Sequence, residues 1–418
     1  MVPLHINRER LLDRHRLLAS FGDTGNGGVI RPALSDEETA ARRALLDIAR
    51  QRGYACAIDP IGNIFIRRSG TDDASMPLRV GSHLDSQIPG GNYDGVYGVL
   101  AGLEVLESLD DHRVELATPV ELVIWNNEEG ARFSPTTMGS AVHAGELDLG
   151  SALAAVDQDA KTVGDELSRS LPKLGSLSTA QLGNPSLAYV EAHIEQGPML
   201  EAGAVAIGVV TGIQGIVQLA VRVTGEEAHA GTTPRARRKD ALLAALDFIA
   251  AIRTIMLDPE DSIRFTVGRL TVSPGTPNTV PSEVVFTIDL RHPDQALLLS
   301  LHDRIKEAAV LFEGPCSVSA HTKLNSPPVN FAPGVKSSIA KSAAELGLRS
   351  IEIASGATHD AKFMAKLCPT GMIFIPCRDG ISHNEREWAE PDHMIAGADV
   401  LLRVVVDLSE TLNRQPQT

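Results

Sequence analysis

Cysteine is scarce in this chain: Cys56, Cys316, Cys368 and Cys377 lie far apart and form no CxxC pair. That spacing excludes a zinc knuckle and a secreted disulfide framework, and leaves buried thiols in a reducing compartment. Aromatic residues make up only 4% of the chain, too few to build stacking platforms for single-stranded nucleic acid. Cationic charge is short as well, with 38 Lys and Arg against 53 Asp and Glu, a net charge of -15. Such a surface repels phosphate backbones and anionic lipid, so neither nucleic acid nor a membrane is expected as a partner. No uninterrupted apolar run is long enough to cross a bilayer, and MVPLHINRERLLDRHRLLASFG lacks the apolar stretch of a signal peptide. A cytoplasmic location is expected by default.

What is present is an ordinary globular composition: 43% hydrophobic and 22% charged over 418 residues, enough for two or three domains. Leu11, Leu12, Leu17 and Leu18 predict a first helix that stops near Gly22. Ser35 and Glu38 have the spacing of a capping box and open a second helix, ending near Gly53. Short apolar runs at 64–66, 78–80 and 120–125 predict strands, with a helix over 96–109 between them. This alternation argues for an α/β layer with a substantially parallel sheet. From Ile213 onward the pattern changes. Strands at 217–223, 265–272, 284–290 and 316–321 and helices at 240–255 and 295–312 follow the order β-α-β-β-α-β, that of a ferredoxin-like unit. After NSPPVNFAP the α/β pattern resumes with a helix, a strand at 351–353, a THDAKFMAKL helix, a GMIFIPC strand and a long final helix. The expected organisation is one α/β domain, 1–212 and 331–418, interrupted by a smaller one at 213–330.

The residues able to hold a metal stand at strand ends. His83 and Asp85 in GSHLDS are two apart, so on an extended backbone they face the same way. Asp85 is then placed to accept the second ring N–H of His83, as carboxylates do behind metal-bound imidazoles; a surface His beside a turn carboxylate is the alternative. Asp94 in GGNYDG is either a ligand between glycines that allow close approach or a helix cap. Glu128 and Glu129 in WNNEEG point in different directions, so that one can bind a metal while the other serves a water as general base. His193 ends the YVEAHI strand, and His383 follows the GMIFIPC strand. Taken singly, each is more often structural. Together they gather where open α/β sheets keep their ligand sites, at the carboxyl ends of strands. Two such sets sharing one Asp suit two divalent ions about 3.5–4 Å apart, and imidazole with carboxylate favours zinc or manganese.

GSHLDS, GGNYDGVYGVLAGLEVL, NNEEGARF, MGSAV, EAHIEQGPML, GEEAHAGTTP, PNTVPSEVVFTIDLRHP, SGATHDA and GISHNE run in order along nearly the whole chain. In this combination they resemble the amidase/hydantoinase/carbamoylase branch of the M20 metallopeptidase superfamily, whose members include N-carbamoyl-L-amino-acid hydrolases, β-ureidopropionases and allantoate amidohydrolases. The resemblance implies an α/β dinuclear-metal hydrolase domain with a mostly parallel mixed sheet, and an inserted ferredoxin-like dimerisation or lid domain. It implies that Asp94 bridges two divalent ions, zinc first, with manganese, cobalt or nickel as alternatives. His83 and His193 would complete one site, Glu129 and His383 the other. Glu128 would be the general base, with Asp85 orienting His83. His229 would stabilise the oxyanion in the partner subunit of a homodimer, and Asn278 and Arg291 would hold the substrate carboxylate. Gln196, Gln214, Gly356 and His383 would line the substrate rim. Two departures from the family pattern stand out. Gly215-Ile216-Val217-Gln218 replaces the GQRW of many relatives, and His143 in MGSAVH occupies an apolar position, where it either touches substrate or packs. The implied activity is hydrolysis of the ureido C–N bond of an N-carbamoyl amino acid, a small molecule. Allantoate amidohydrolase and aminoacylase or dipeptidase activities are alternatives, as is a binding protein that has lost its chemistry. The general base and all five ligands are present, which favours an enzyme.

Overall fold

The computed structural model describes residues 4–412. These fall into two compact units: the described residues through Thr211 together with those from Asn330 onward, and Gly212–Val329.

In the first unit, helix Asp36–Gln51 starts where its cap dictates. Ser35 Oγ accepts the Glu38 N–H at 3.1 Å. The Glu38 carboxylate reaches past Ser35 to the Leu34 N–H at 2.6 Å, while its other oxygen holds Arg42. Four strands form the centre of the large sheet, in the order Thr370–Ile375, Ala188–Ile194, Leu78–His83, Val120–Trp125, all parallel. Every residue of all four is buried, as expected of strands covered on both faces. Antiparallel strands flank them, Ile64–Arg68 beside Val120–Trp125 and Ile207–Ile213 beside Thr370–Ile375, so the sheet is mixed. Helices Val96–Asp111 and Pro391–Leu412 pack their apolar faces on this centre, with Leu100, Leu103, Leu401 and Val404 in one core with Val80, Val190 and Ile373. Because the central strands run the same way, their carboxyl ends open on one edge. That edge carries His83, His193 and the loops following Trp125 and Ile375. The expected THDAKFMAKL helix is reduced to the turn Ala361–Met364, followed by further turns up to Pro369, which cannot continue a helix.

The second unit is a four-stranded antiparallel sheet in the order Arg264–Ser273, Glu283–His292, Gly215–Thr224, Ser317–Ser326. This is the ferredoxin-like arrangement. Burial alternates along the two inner strands, whose apolar side packs on helices Ala241–Ile255 and Gln295–Val310 through Phe248, Ile252, Leu301 and Ile305. A two-stranded ribbon joins Ala228–His229 to Thr279–Val280. Among the described residues, no helix is long and apolar enough to cross a membrane.

Candidate active site

The loop between strand Leu78–His83 and helix Val96–Asp111 puts Asp94 at the centre of the sheet edge. Gly95 has φ +66°, and a Cβ there would lie 2.4 Å from the His83 ring, so only glycine lets the loop close over the imidazole. The two Asp94 oxygens face different neighbours. Oδ1 lies 3.1 Å from His193 Nε2 and 3.6 Å from His83 Nε2, whereas Oδ2 lies 3.2 Å from His383 Nε2. His383 Nε2 is in turn 3.3 Å from Glu129 Oε2. The donor atoms of His83, Asp94 and His193, and those of Asp94, Glu129 and His383, form two groups in each of which all lie within 4.8 Å of one another; a third such group, Glu191, His193 and His359, lies behind the first and lacks Asp94.

The hydrogen bonds behind the imidazoles test whether a cation suits these groups. His83 Nδ1 is 3.0 Å from the Asp85 carbonyl, and His193 Nδ1 is 2.9 Å from the Ile194 carbonyl. A carbonyl only accepts, so each Nδ1 carries the proton and each neutral ring turns an Nε2 lone pair toward the anionic Asp94. Lone pair facing carboxylate calls for a positive charge between them. Without a metal that charge is a proton: burial opposes it, but Glu128, Asp94 and Asp85 carry His83 well above the ordinary imidazole range. Asp94 likewise drives His383 up to about 9. Asp94 itself is held well below the usual carboxylate range by His193, His383 and His83, against its burial. Imidazole and carboxylate donors in two sets therefore fit divalent ions of the zinc or manganese type.

Asp85 departs from its expected place. Its carboxylate is 3.7 Å from His83 Nδ1, and the backbone carbonyl of the same residue makes the closer contact. The carboxylate instead accepts the N–H groups of Glu128 at 3.1 Å and Glu129 at 3.0 Å, one on each oxygen. Extended spacing put His83 and Asp85 on one side, but the chain turns out of the strand after His83 and the carboxylate reaches the neighbouring strand's loop. Glu128, held this way, sends Oε2 to within 3.6 Å of His83 Nε2 yet belongs to neither donor group. Burial pushes it well above the ordinary carboxylate range, and pushes Glu129 up to about 7. Asn127, Gln196 and His383 all have φ between +52° and +56°. For residues other than glycine this left-handed backbone costs about 1–3 kcal/mol each and collects at functional sites.

Residues 80–407 match peptidase family M20/M25/M40. The chain belongs to this family. Over 410 residues it is 39% identical to an N-carbamoyl-L-amino-acid amidohydrolase of Rhizobium meliloti, covering 97% of each chain. It is 34% identical to a ureidoglycolate hydrolase of Arabidopsis thaliana, covering 94% of this chain and 84% of that one. A crystal structure of an amidase of the hydantoinase/carbamoylase family from Burkholderia multivorans superposes with a TM-score of 0.89 at 41% identity, covering 97% of this chain and 98% of that one.

Of the remaining candidates in this M20 chain, Gln196 donates from Nε2 to Asp94 Oδ2 at 2.7 Å, which places it inside the cluster. Gly356 follows strand Ser350–Ser355 in a loop where Ser355 Oγ meets His359 Nε2 at 2.9 Å, and the His359 ring stacks edge-on to His193 at 4.5 Å. In the second unit, His229 Nδ1 accepts the N–H groups of Gly231 and Thr232, each at 3.1 Å. The proton of its neutral ring therefore sits on Nε2, ready to be donated. Asn278 adjoins it, its carbonyl accepting the Ala230 N–H at 3.0 Å. Arg291 is tied to Asp289 at 2.8 Å, which also accepts from Gln218 at 2.9 Å, so Gln218 takes part in this charged patch of the sheet. Gln214 also lies in this unit, with its Oε1 buried and lacking a hydrogen-bond partner. His143 is buried, with Nε2 3.3 Å from Arg79 and Nδ1 3.4 Å from Asp59.

Sequence reasoning missed Ser382, Glu387, His359, Asp360 and Glu191. Glu387 is buried and accepts the N–H groups of both Tyr93 and Asp94. Asp360 and Glu191 lie beneath the site, each raised by burial, with Ser140 and Ser82 as respective donors. The adjacent His359-Asp360 pair just after a strand was the available signal. A cavity of about 330 Å³ lined by Gln87, Ile88, Pro89, His383, Asn384 and Glu385 opens beside the cluster. A larger cavity of about 750 Å³ around Arg132 and Arg169 contains none of the site residues.

Proposed function

We propose that this M20 enzyme hydrolyses the ureido C–N bond of an N-carbamoyl-L-amino acid, giving the amino acid, carbon dioxide and ammonia. The observation that carries this reading is the divided Asp94 carboxylate, one oxygen toward His83 and His193 and the other toward His383 beside Glu129, with Glu128 outside both sets. His83, Asp94 and His193 would hold one divalent ion, and Asp94, Glu129 and His383 a second, with zinc or manganese the first choices. Ions bound there supply Lewis acidity and make a water acidic enough to ionise near neutral pH. Glu128 takes the proton of the attacking water and delivers it to the nitrogen that leaves, a task for which its position beside but not within the donor groups suits it. The Asp85 carboxylate keeps Glu128 and Glu129 facing the same centre. Asn278 and Arg291 hold the substrate carboxylate, Arg291 by its forked N–H groups, and Gln196, Gln214 and the Gly356 loop complete the rim. His229 donates from Nε2 to the negative charge that develops on the carbonyl oxygen. We further propose that residues 213–330 act as dimerisation and lid domain of a homodimer, in which each subunit's His229 serves the other's site, and that the enzyme works in the cytoplasm.

Ammonia release from a panel of ureido acids tests the reading, using zinc- or manganese-loaded protein. N-carbamoyl-L-α-amino acids should give the highest kcat/KM. The panel includes N-carbamoyl-β-alanine, allantoate and ureidoglycolate, the last because of the similarity to the Arabidopsis enzyme. Turnover of N-acyl amino acids or dipeptides without turnover of any ureido acid would overturn the assignment in favour of an aminoacylase or peptidase. Inertness toward every compound would favour a binding protein.

A further inference from the structure

We propose that Glu387 is a positioning residue that fixes Asp94 as the bridge between the two candidate cation sites, acting through the Tyr93 and Asp94 amides and through Ser382. The inference rests on the two-ion reading above. Glu387 lies four residues beyond His383 and is 2% exposed. Its Oε1 accepts the N–H of Tyr93 at 2.9 Å and of Asp94 at 3.0 Å, so the backbone that carries the bridging carboxylate hangs from one oxygen. Its Oε2 accepts from Ser382 Oγ at 2.7 Å, and the same hydroxyl lies 3.1 Å from Asp94 Oδ2. Ser382 immediately precedes His383, whose Nε2 faces that same Oδ2 at 3.2 Å. One carboxylate thus ties together two of the three members of the second set, Asp94 from the front of the chain and, through Ser382, His383 from the back.

The loop is shaped around this contact. A Cβ on Gly91 would lie 2.1 Å from Glu387 Oε1, so residue 91 has no room for a side chain while Glu387 is in place. The neighbouring residues add a second tie, Tyr93 meeting Trp388 edge-to-face at 5.6 Å. The two Asp94 oxygens are treated unequally. Oδ2 accepts from Gln196 and has the Ser382 hydroxyl beside it, whereas Oδ1 faces the His83 and His193 rings. Loss of Glu387 frees the Asp94 backbone and unlinks it from His383. The first set keeps both of its imidazoles on their own strands and suffers less. Groups that hold metal ligands in this way typically account for about 10–100-fold in metal affinity.

The test is Zn²⁺ binding alone, with two dissociation constants measured by competition against a chromogenic chelator. The chains are wild type, E387A, E387Q and S382A. Each is also measured in an H383A background, which leaves only the first set. E387A should weaken the second ion by about 10–100-fold and the remaining ion of the H383A background far less. E387Q, which keeps an oxygen for the two amides, should fall between E387A and wild type. S382A disturbs no backbone contact, so it reports even if E387A folds poorly, and should weaken the second ion alone. A role confined to general stability would lower both affinities alike, and that result would overturn the proposal. Unchanged affinities in E387A and S382A, with wild type binding two ions, would overturn it while sparing the two-ion reading. A wild-type chain that binds fewer than two ions would overturn both.

Discussion

Replacing Asp85 by Asn separates two jobs that one residue performs with different atoms. The carboxylate receives the Glu128 and Glu129 amides at 3.1 and 3.0 Å, whereas His83 is steadied by the backbone carbonyl, which any side chain leaves in place. In D85N one amide keeps a neutral acceptor and the other faces a donating NH2 group. Hydrogen bonds to a charged acceptor are worth about 1.5–3 kcal/mol, and an orphaned buried N–H costs about 1–3 kcal/mol. Taking about 3 kcal/mol for the sum, kcat/KM on the preferred ureido acid should fall about 10²-fold at saturating Zn²⁺. The loss should appear in turnover and in affinity for the ion that uses Glu129. It should be absent from D85N/H383A compared with H383A, where only His83, Asp94 and His193 remain to bind zinc. Steady-state kinetics and chelator competition read the two quantities separately. The reasoning is refuted if D85N/H383A loses zinc affinity while zinc-saturated D85N keeps its turnover, because the carboxylate would then be acting on His83.

Glu128→Gln should bind both ions yet lose about 10²–10⁴-fold in kcat, as loss of a general base does; near-wild-type turnover in the zinc-saturated variant would sink that role. Asp94→Ala should lose both ions at once, since both sets use it, and full metal content after dialysis would disprove the bridge. A heterodimer of one His229→Ala chain and one Glu128→Gln chain should recover activity toward half of wild type, because one of its sites escapes both defects. Mixtures shown by mass spectrometry to contain heterodimers but lacking activity would rule out action across the interface. His15 is lowered from its ordinary 6.5 to about 4, first by burial. The unfolded chain therefore takes up this proton more readily, so the contribution is whole above pH 6.5 and is lost as pH falls toward 4, by about 3 kcal/mol. Urea unfolding of wild type and His15→Phe across pH 4–7 should diverge toward acid, and parallel curves would contradict it.

The central strands and the metal-type residues were legible because both are local signals. Val120–Trp125 is a run apolar but for Glu121 between Pro119 and Asn126, and the structure gives it those same bounds. His83, Asp94, Glu129, His193 and His383 sit in motifs that differ from their surroundings. The antiparallel flank was harder to see, because the glycine-broken run 207–213 resembles a turn-rich connection as much as a strand. The strand expected over 316–321 is Ser317–Ser326, since its polar second half pairs along Gly215–Thr224 at a sheet edge and carries no apolar alternation. Glu387 and the true partners of Asp85 were invisible for a different reason. Their contacts are hydrogen bonds to backbone amides, about 290 and 40 residues away in sequence, and an amide leaves no mark in the identity of its residue.

The interruption of the first unit also sets an order in time. His83, Asp94 and His193 have all left the ribosome early, but His383 follows about 190 residues later, after the whole of Gly212–Val329. At about 5–20 residues per second, that gap lasts roughly 10–40 seconds. During it Glu129 and the second oxygen of Asp94 wait without their imidazole, and Glu387 is not yet there to hold the loop. A nascent chain that captures an ion early meets one complete donor group, and the second group comes into being only when the returning segment joins it.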